Sequence, residues 1–181
     1  AIRIETLFPD DSRIMQDYVW LEEHLGPLVP IDVLVRFENT AALSDRERMD
    51  VLWRINDSLG KQPHVQSTVS ALTFLPPMPP LKSVPVSMRA AVLNNIIHQA
   101  RPGFERLAML RHTADAEVWR MTAHVSSTET LDYGEVLNDV RTSIQSELQN
   151  AGDLDTSGIT ISTSGIMPLV HQIQGQLLSD L

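Results

Sequence analysis

The residue types that most often carry out chemistry are present in the chain, but they do not form a recognised catalytic or metal-binding pattern. Six histidines occur, and no two of them are spaced four residues apart, as a helical metal site or an H-E-x-x-H motif requires. The absence of cysteine excludes disulfides, thiolate nucleophiles and the common zinc and iron–sulfur ligand sets. Glycine-rich phosphate loops are missing as well. The sequence therefore predicts no metal, no cofactor and no enzymatic activity.

Two further features have a catalytic and a structural interpretation, and the structural one is favoured for both. The segment SLGK at residues 58–61 fits an S-x-x-K pattern, but the other motifs of that hydrolase class are missing. Gly60 is typical of a helix end, so this segment is interpreted as a helix C-terminus with a solvated lysine. Three tryptophans could line a pocket, but they lie beside or within apolar stripes, so packing in the core is predicted for them: Trp20, Trp53 and Trp119.

Contact with a ligand or partner is predicted at the segment TFLPPMPPL, residues 73–81. Five prolines between residues 76 and 85 exclude a helix or a central strand, so this part is an extended connector. Burying every apolar side chain of such a connector is difficult, and packing onto the sheet is the alternative. The candidate ligand-contact residues are Phe74, Leu75, Met78 and Leu81.

The composition excludes several classes of function. The net charge is −9, from 14 basic and 23 acidic residues. No basic stripe is available to neutralise phosphates, so binding to nucleic acid or to an anionic lipid surface is not expected. The chain contains no run of about 18 apolar residues, the length that a transmembrane helix needs. The first residues lack an initiator methionine and a signal peptide, which indicates a piece of a longer protein.

The first half of the chain predicts a helix, a strand, a helix and a second strand. A helical stripe runs through residues 12–25, and residues 31–37 alternate between apolar and polar side chains as on a half-buried strand. Ser44 and Glu47 form a capping box that opens a helix ending at Gly60. Residues 64–75 are predicted to be a strand, which completes a strand–helix–strand unit.

The second half repeats this order. A helix is expected from residue 86 to about 101, with an interruption at Pro102 and Gly103 and a second helical piece to residue 110. An alternating strand follows at residues 117–127. Asp132 and Glu135 then form an acidic capping box, with Leu131 stapling onto Val136, and a last strand covers residues 158–166.

Two strand–helix–strand units predict an α+β fold of the ferredoxin-like type, a four-stranded sheet with two helices on one face. We expect a single domain over residues 1–181, with internal units at about 10–75 and 86–165. The helices at 12–25 and 86–110 flank these units. Residues 166–181 form an apolar helical stripe that belongs to neither unit, and we interpret it as a stalk leading to a transmembrane segment.

Two segments resemble the first extracytoplasmic loop of bacterial exporters of the resistance–nodulation–division (RND) superfamily, in its MMPL-like branch. They are LFPDDSRIMQDYVWLEEHLGPLVPIDVLVRFEN at residues 7–39, with its F-P-x-D-S-R motif, and DYGEVLNDVRTSI together with GITISTSGIMPLVHQIQGQLLSDL at residues 132–144 and 158–181. In that family the first segment follows one transmembrane helix and the last leads into the next. The resemblance implies a periplasmic porter domain built from ferredoxin-like repeats.

The resemblance also implies a function and partners. The chain is expected to handle hydrophobic, amphiphilic or lipid-like substrates for a proton-driven efflux protein of the bacterial inner membrane. Its partners are then the transmembrane domain and the second porter loop of the same protein, and homo-oligomerisation stays open. The proton-relaying carboxylates of the family lie in transmembrane helices outside this chain. A free-standing ferredoxin-like module that binds small molecules is the alternative.

Overall fold

The computed structural model describes residues 9, 11–75, 86–126, 132–152 and 154–165, with the backbone alone at 86, 87, 89 and 90. Within these residues the fold is of the α+β class, with four α-helices and a five-stranded antiparallel sheet. The elements are, in chain order, α1 (Arg13–Leu25), β1 (Val29–Glu38), α2 (Asp45–Gly60), β2 (Val65–Val69), a 3₁₀ turn (Ala71–Phe74), α3 (Val86–Arg106), β3 (Leu110–His112), β4 (Ala116–Val125), α4 (Tyr133–Asn150) and β5 (Ile159–Ser164).

The sheet has the strand order β2-β4-β1-β5, and β3 pairs with the part of β4 that β2 leaves free. β1 pairs with β4 over its whole length, from Val29 opposite Val125 to Glu38 opposite Ala116. Because every pairing is antiparallel, β1 and β2 run in the same direction on the two sides of β4. The sequence predicted four of these strands and missed β3, whose three residues form a strand through pairing with residues 117–119.

The core lies between one face of the sheet and two helices. Alternate residues of β1 are buried, as its sequence predicts, and the same alternation continues on β4. Helices α2 and α4 pack against each other and add their apolar stripes to this core. The fully covered side chains at its centre are Ile31, Val33, Val35, Phe37, Val51, Ile55, Leu59, Ala123, Val125 and Val140.

Local capping signals fix where two of the helices begin. Ser44 caps α2 in a capping box, in which its backbone N–H donates to Glu47 Oε2 at 2.7 Å. Asp132 caps α4 by accepting hydrogen bonds from the backbone of Gly134 at 2.8 Å and of Glu135 at 3.4 Å. Both predicted starts are confirmed, but of the predicted Asp132–Glu135 box the structure shows only the bonds to the Asp132 side chain. The predicted contact of Leu131 lies outside the described residues.

The predicted strand over residues 64–75 was too long. β2 ends at Val69, and a 3₁₀ turn takes over at Ala71. The backbone N–H of Ser70 donates to Thr73 Oγ1 at 3.2 Å, and this local hydrogen bond stabilises the turn. The strand therefore gives way to a helical turn immediately before the proline-rich connector.

The predicted break at Pro102 was wrong as well. α3 continues through Pro102 to Arg106, and the expected helical residue Leu110 begins β3 instead. A proline removes one backbone hydrogen bond and crowds the preceding turn. Phe104 is buried after Pro102, and its ring centroid lies 5.7 Å from that of Trp119. This contact holds the part of the helix after Pro102 in the core.

The stalk predicted at residues 166–181 lies outside the described residues. Among the residues that the structure describes, no helix has the length and apolar content that a membrane span needs.

Candidate functional site

A groove of about 620 Å³ separates helices α2 and α3, and this volume lies within the usual range of ligand pockets. The 3₁₀ turn and the loop before β5 also contribute to it. Its apolar lining consists of Met49, Trp53, Leu72, Leu75, Leu93, Ile96, Ile97 and Leu154.

Helix α2 contributes side chains both to the core and to the groove. One side, with Leu52, Ile55 and Leu59, packs into the core. Trp53 follows Leu52 by one residue, so it points about 100° away around the helix and reaches the groove. Its exposed fraction is 62% and that of Trp20 is 54%, so the prediction that these two tryptophans pack in the core was wrong.

Charged side chains line part of the groove. Arg54 Nε donates to Asp50 Oδ2 at 2.9 Å, and both residues come from α2. Glu47 belongs to the capping box of the same helix, and hydrogen bonds from the hydroxyl and the backbone of Ser44 lower its pKa. Glu47 is therefore ionised at neutral pH, and the groove combines an apolar surface with fixed charges. Such a surface suits an amphiphilic molecule.

The structure separates the candidate contact residues that the sequence brought together. Leu75 is half-buried and lines the groove. Phe74 is 49% exposed and faces a second hollow of about 410 Å³, which Phe104 and Leu107 also line. Met78 and Leu81 lie outside the described residues. Of the four candidates, the described structure thus assigns Leu75 to the groove and Phe74 to a different surface.

A buried ion network adjoins the groove, and the sequence analysis did not identify it. The network is defined here as Asp45 and Arg48 of α2, Arg101 of α3 and Glu117 of β4. The Glu117 side chain is only 4% exposed. Arg48 Nη1 donates to Glu117 Oε2 at 3.0 Å, and Arg101 Nη2 donates to the same oxygen. The other nitrogen of Arg101, Nη1, donates to Asp45 Oδ1 at 3.1 Å.

Aromatic side chains complete the surroundings of this network. The indole Nε1 of Trp119 donates to Glu117 Oε1 at 2.5 Å, so both carboxylate oxygens accept hydrogen bonds. The guanidinium carbons of Arg48 and Arg101 lie 5.7 Å from the ring centroids of Phe37 and Trp119, respectively. One signal in the sequence could have found the buried carboxylate, since Glu117 is in phase with Trp119 on the strand.

The other residues with catalytic potential have ordinary structural partners. Ser58 is buried and its hydroxyl lies 2.6 Å from that of Ser143, whereas Lys61 pairs with Asp57 at 2.5 Å. The two S-x-x-K residues are thus engaged separately. In the described part of the chain, no group of three or more potential ligands is placed to hold a metal ion.

Comparison with known proteins adds no identification, since neither a protein-family model nor a curated protein matches the chain. Functional interpretation therefore depends on the groove, the fold and the sequence resemblance.

Proposed function

We propose that this chain is an extracytoplasmic domain of a bacterial RND-type exporter of the MMPL-like branch, and that its groove takes the apolar part of an amphiphilic substrate. The observation that carries the proposal is the groove between α2 and α3, with its apolar lining and charged residues. The exporter assignment also draws on the resemblance at residues 7–39, 132–144 and 158–181. Its partners are the transmembrane domain and second porter loop of the same protein.

The strand order supports a ferredoxin-like interpretation of the fold. Two parallel pairs, β1 with β2 and β4 with β5, are each linked through one helix, and each pair encloses a strand of the other. This is the split strand–helix–strand arrangement repeated twice, with β3 and two helices added. Repeats of this kind are expected of RND porter domains.

Binding of a fluorescent amphiphile with one dodecyl chain, used below its micelle concentration, tests the groove. Trp53 is largely exposed, so Trp53→Ala removes an apolar wall and leaves the core intact. We expect about tenfold weaker binding, the equivalent of partly burying one large apolar side chain. Trp20→Ala is the matched control, because Trp20 is 54% exposed on α1 and does not line the groove. Equal effects of the two variants would refute the groove assignment.

A second pair of variants tests the contribution of the 3₁₀ turn. Leu75→Asp places a charge in the groove, whereas Leu107→Asp places one in the separate hollow. Only Leu75→Asp is expected to weaken binding of the probe. Circular dichroism of both variants establishes that each is folded before its affinity is compared.

The exporter and the free-standing sensor share the groove but differ in what adjoins the domain. The exporter predicts an apolar helix of about 20 residues next to each end of this chain in the natural reading frame. A reading frame without such helices would leave the sensor as the better interpretation. In the exporter, Trp53→Ala in the full-length protein is expected to slow export of an amphiphile.

A further inference from the structure

The buried ion network joins the two walls of the groove to the sheet. Arg48 belongs to α2, Arg101 to α3 and Glu117 to β4, and one carboxylate oxygen of Glu117 receives both guanidinium groups. A guanidinium donates in a fixed planar geometry, so it fixes the direction of its partner as well as its distance. The separation of α2 and α3 is therefore tied to the Glu117 carboxylate, and the direct bond from Arg101 Nη1 to Asp45 Oδ1 of α2 adds a second link between the two helices.

The network lies at one end of the groove. Arg48 directly precedes Met49 of the groove lining, and Arg101 follows Ile97 by four residues on the same side of α3. Glu117 itself does not line the groove. Any influence of Glu117 on a bound molecule must therefore pass through the placement of the two helices.

Among the described residues, the first turns of α3 contribute no buried side chain. Between residues 88 and 96, none of the described side chains is buried, and Ile97 is the first that is. On the other side of Arg101, Pro102 lacks the N–H that would bond back along the helix. The buried Phe104 anchors only the segment after this proline. Arg101 thus lies between Ile97, the first buried side chain described on α3, and the anchored Phe104.

We propose that Glu117 is the positioning residue of the groove: through Arg48 and Arg101 it sets the separation of α2 and α3, and so the bulk of the apolar chain that the groove takes. This inference deepens the proposed amphiphile binding and depends on it. A buried ion pair gains little net stability over apolar residues but is strongly directional. Because the ion pair is directional, it can fix the width of the groove between α2 and α3.

The first part of the test measures the width of the groove directly. The chain has no cysteine, so Asp57→Cys and Asn94→Cys place two spin labels uniquely on exposed positions of α2 and α3. Electron–electron double resonance is expected to give a narrow distance distribution in the otherwise unchanged protein. Glu117→Gln and Arg101→Met are expected to broaden it, since both remove the ion pair between β4 and α3.

Arg101→Met is included because Glu117→Gln can unfold the chain. In Arg101→Met the Glu117 carboxylate keeps Arg48 and Trp119, and methionine preserves part of the apolar contact of the arginine stem. Asp115→Asn is the matched control. It breaks the exposed pair between Asp115 and Arg36, which is 2.6 Å long and unconnected to the groove, and is expected to leave the distance distribution unchanged.

The second part measures affinity for a linear and a branched fluorescent amphiphile. A merely structural role would weaken both equally, whereas a positioning role changes their ratio. We expect Arg101→Met to shift the ratio by about threefold to tenfold in favour of the branched probe. Unchanged distances in folded Arg101→Met, or an unchanged ratio, would overturn the inference. If the unsubstituted groove bound neither probe, the proposed function would fail, and the distances alone would still decide whether Glu117 positions the helices.

Discussion

Replacing Gly158 with alanine is expected to destabilise the fold through one steric contact. Gly158 is buried just before β5, and its carbonyl accepts the Glu38 backbone N–H at 2.9 Å. A Cβ added there would lie 2.7 Å from the Cβ of Ala41 and 3.2 Å from its Cα. Carbon atoms in favourable contact are about 3.5–4.0 Å apart. One of the two chain segments must therefore move.

The magnitude follows from two opposing terms. Overpacking a well-filled site lowers the free energy of unfolding by about 1–3 kcal/mol. Replacing glycine also reduces the conformational freedom of the unfolded chain, which raises the free energy of unfolding by about 0.4–1 kcal/mol. The backbone of Gly158 does not have a positive φ, so no conformational strain is added. We expect a net loss of about 0.5–2 kcal/mol, which lowers Tm by about 2–4 °C per kcal/mol for a domain of this size.

Urea unfolding of a double-mutant cycle checks this reasoning. Ala41→Gly removes the atom at 2.7 Å, so the combination with Gly158→Ala should recover most of the lost stability. Gly60→Ala is the control, because a Cβ at Gly60 meets no heavy atom within 4 Å, and it should stabilise by about 0.4–1 kcal/mol. Simple additivity of the Gly158 and Ala41 effects would refute the steric explanation.

Two further predictions concern the core and the response to acid. Ile55 is fully buried, so Ile55→Ala should cost about 2–5 kcal/mol in urea unfolding, and a loss below about 1 kcal/mol would contradict its burial. Hydrogen bonds from Thr113 and Arg36 lower the pKa of Asp115 below its ordinary value of 3.8. A carboxyl group with a lowered pKa stabilises the fold above that ordinary value and loses this contribution as the pH falls through the folded-state pKa. Asp115→Asn should therefore flatten the stability profile between about pH 5 and pH 2, and an unchanged profile would count against the two bonds.

The features that the sequence predicted correctly are those fixed by neighbouring residues. Ser44 and Glu47 are three residues apart, and their mutual hydrogen bonds need nothing beyond the first turn of α2. The alternation of β1 likewise follows from the strand period and one covered face. Such patterns can be recognised in the sequence because the spacing of the residues along the chain by itself determines which of them interact.

The features that it missed depend on distant residues. β3 is a strand only because Leu110 pairs with Trp119 of β4. The helix passes Pro102 because Phe104 is held in the core, an effect that exceeds the local preference for a break. The exposed position of Trp53 follows from which side of α2 meets the sheet, and that choice is made by the whole core.

The candidate site illustrates the same limit. An apolar connector suggested one contact surface, and Leu75 does line the groove. The groove, however, is formed mainly by α2 and α3, which are separated in sequence by β2 and the connector. Phe74, the neighbour of Leu75, faces a different hollow because the 3₁₀ turn directs successive side chains apart.

The burial of the Glu117 carboxylate could be predicted from neighbouring residues, whereas its charged partners depend on distant ones. Its phase with Trp119 places it on the covered face of β4, so its burial follows from a local pattern. A buried carboxylate needs a compensating positive charge nearby, but the local pattern does not show which residue supplies it. Arg101 and Arg48 supply that charge from 16 and 69 residues away. An apolar residue at this position would bury at a lower free-energy cost but would constrain the direction of α3 less, since apolar contacts have little direction. This directionality is the physical basis of the proposed role of the ion network in setting the position of the groove wall.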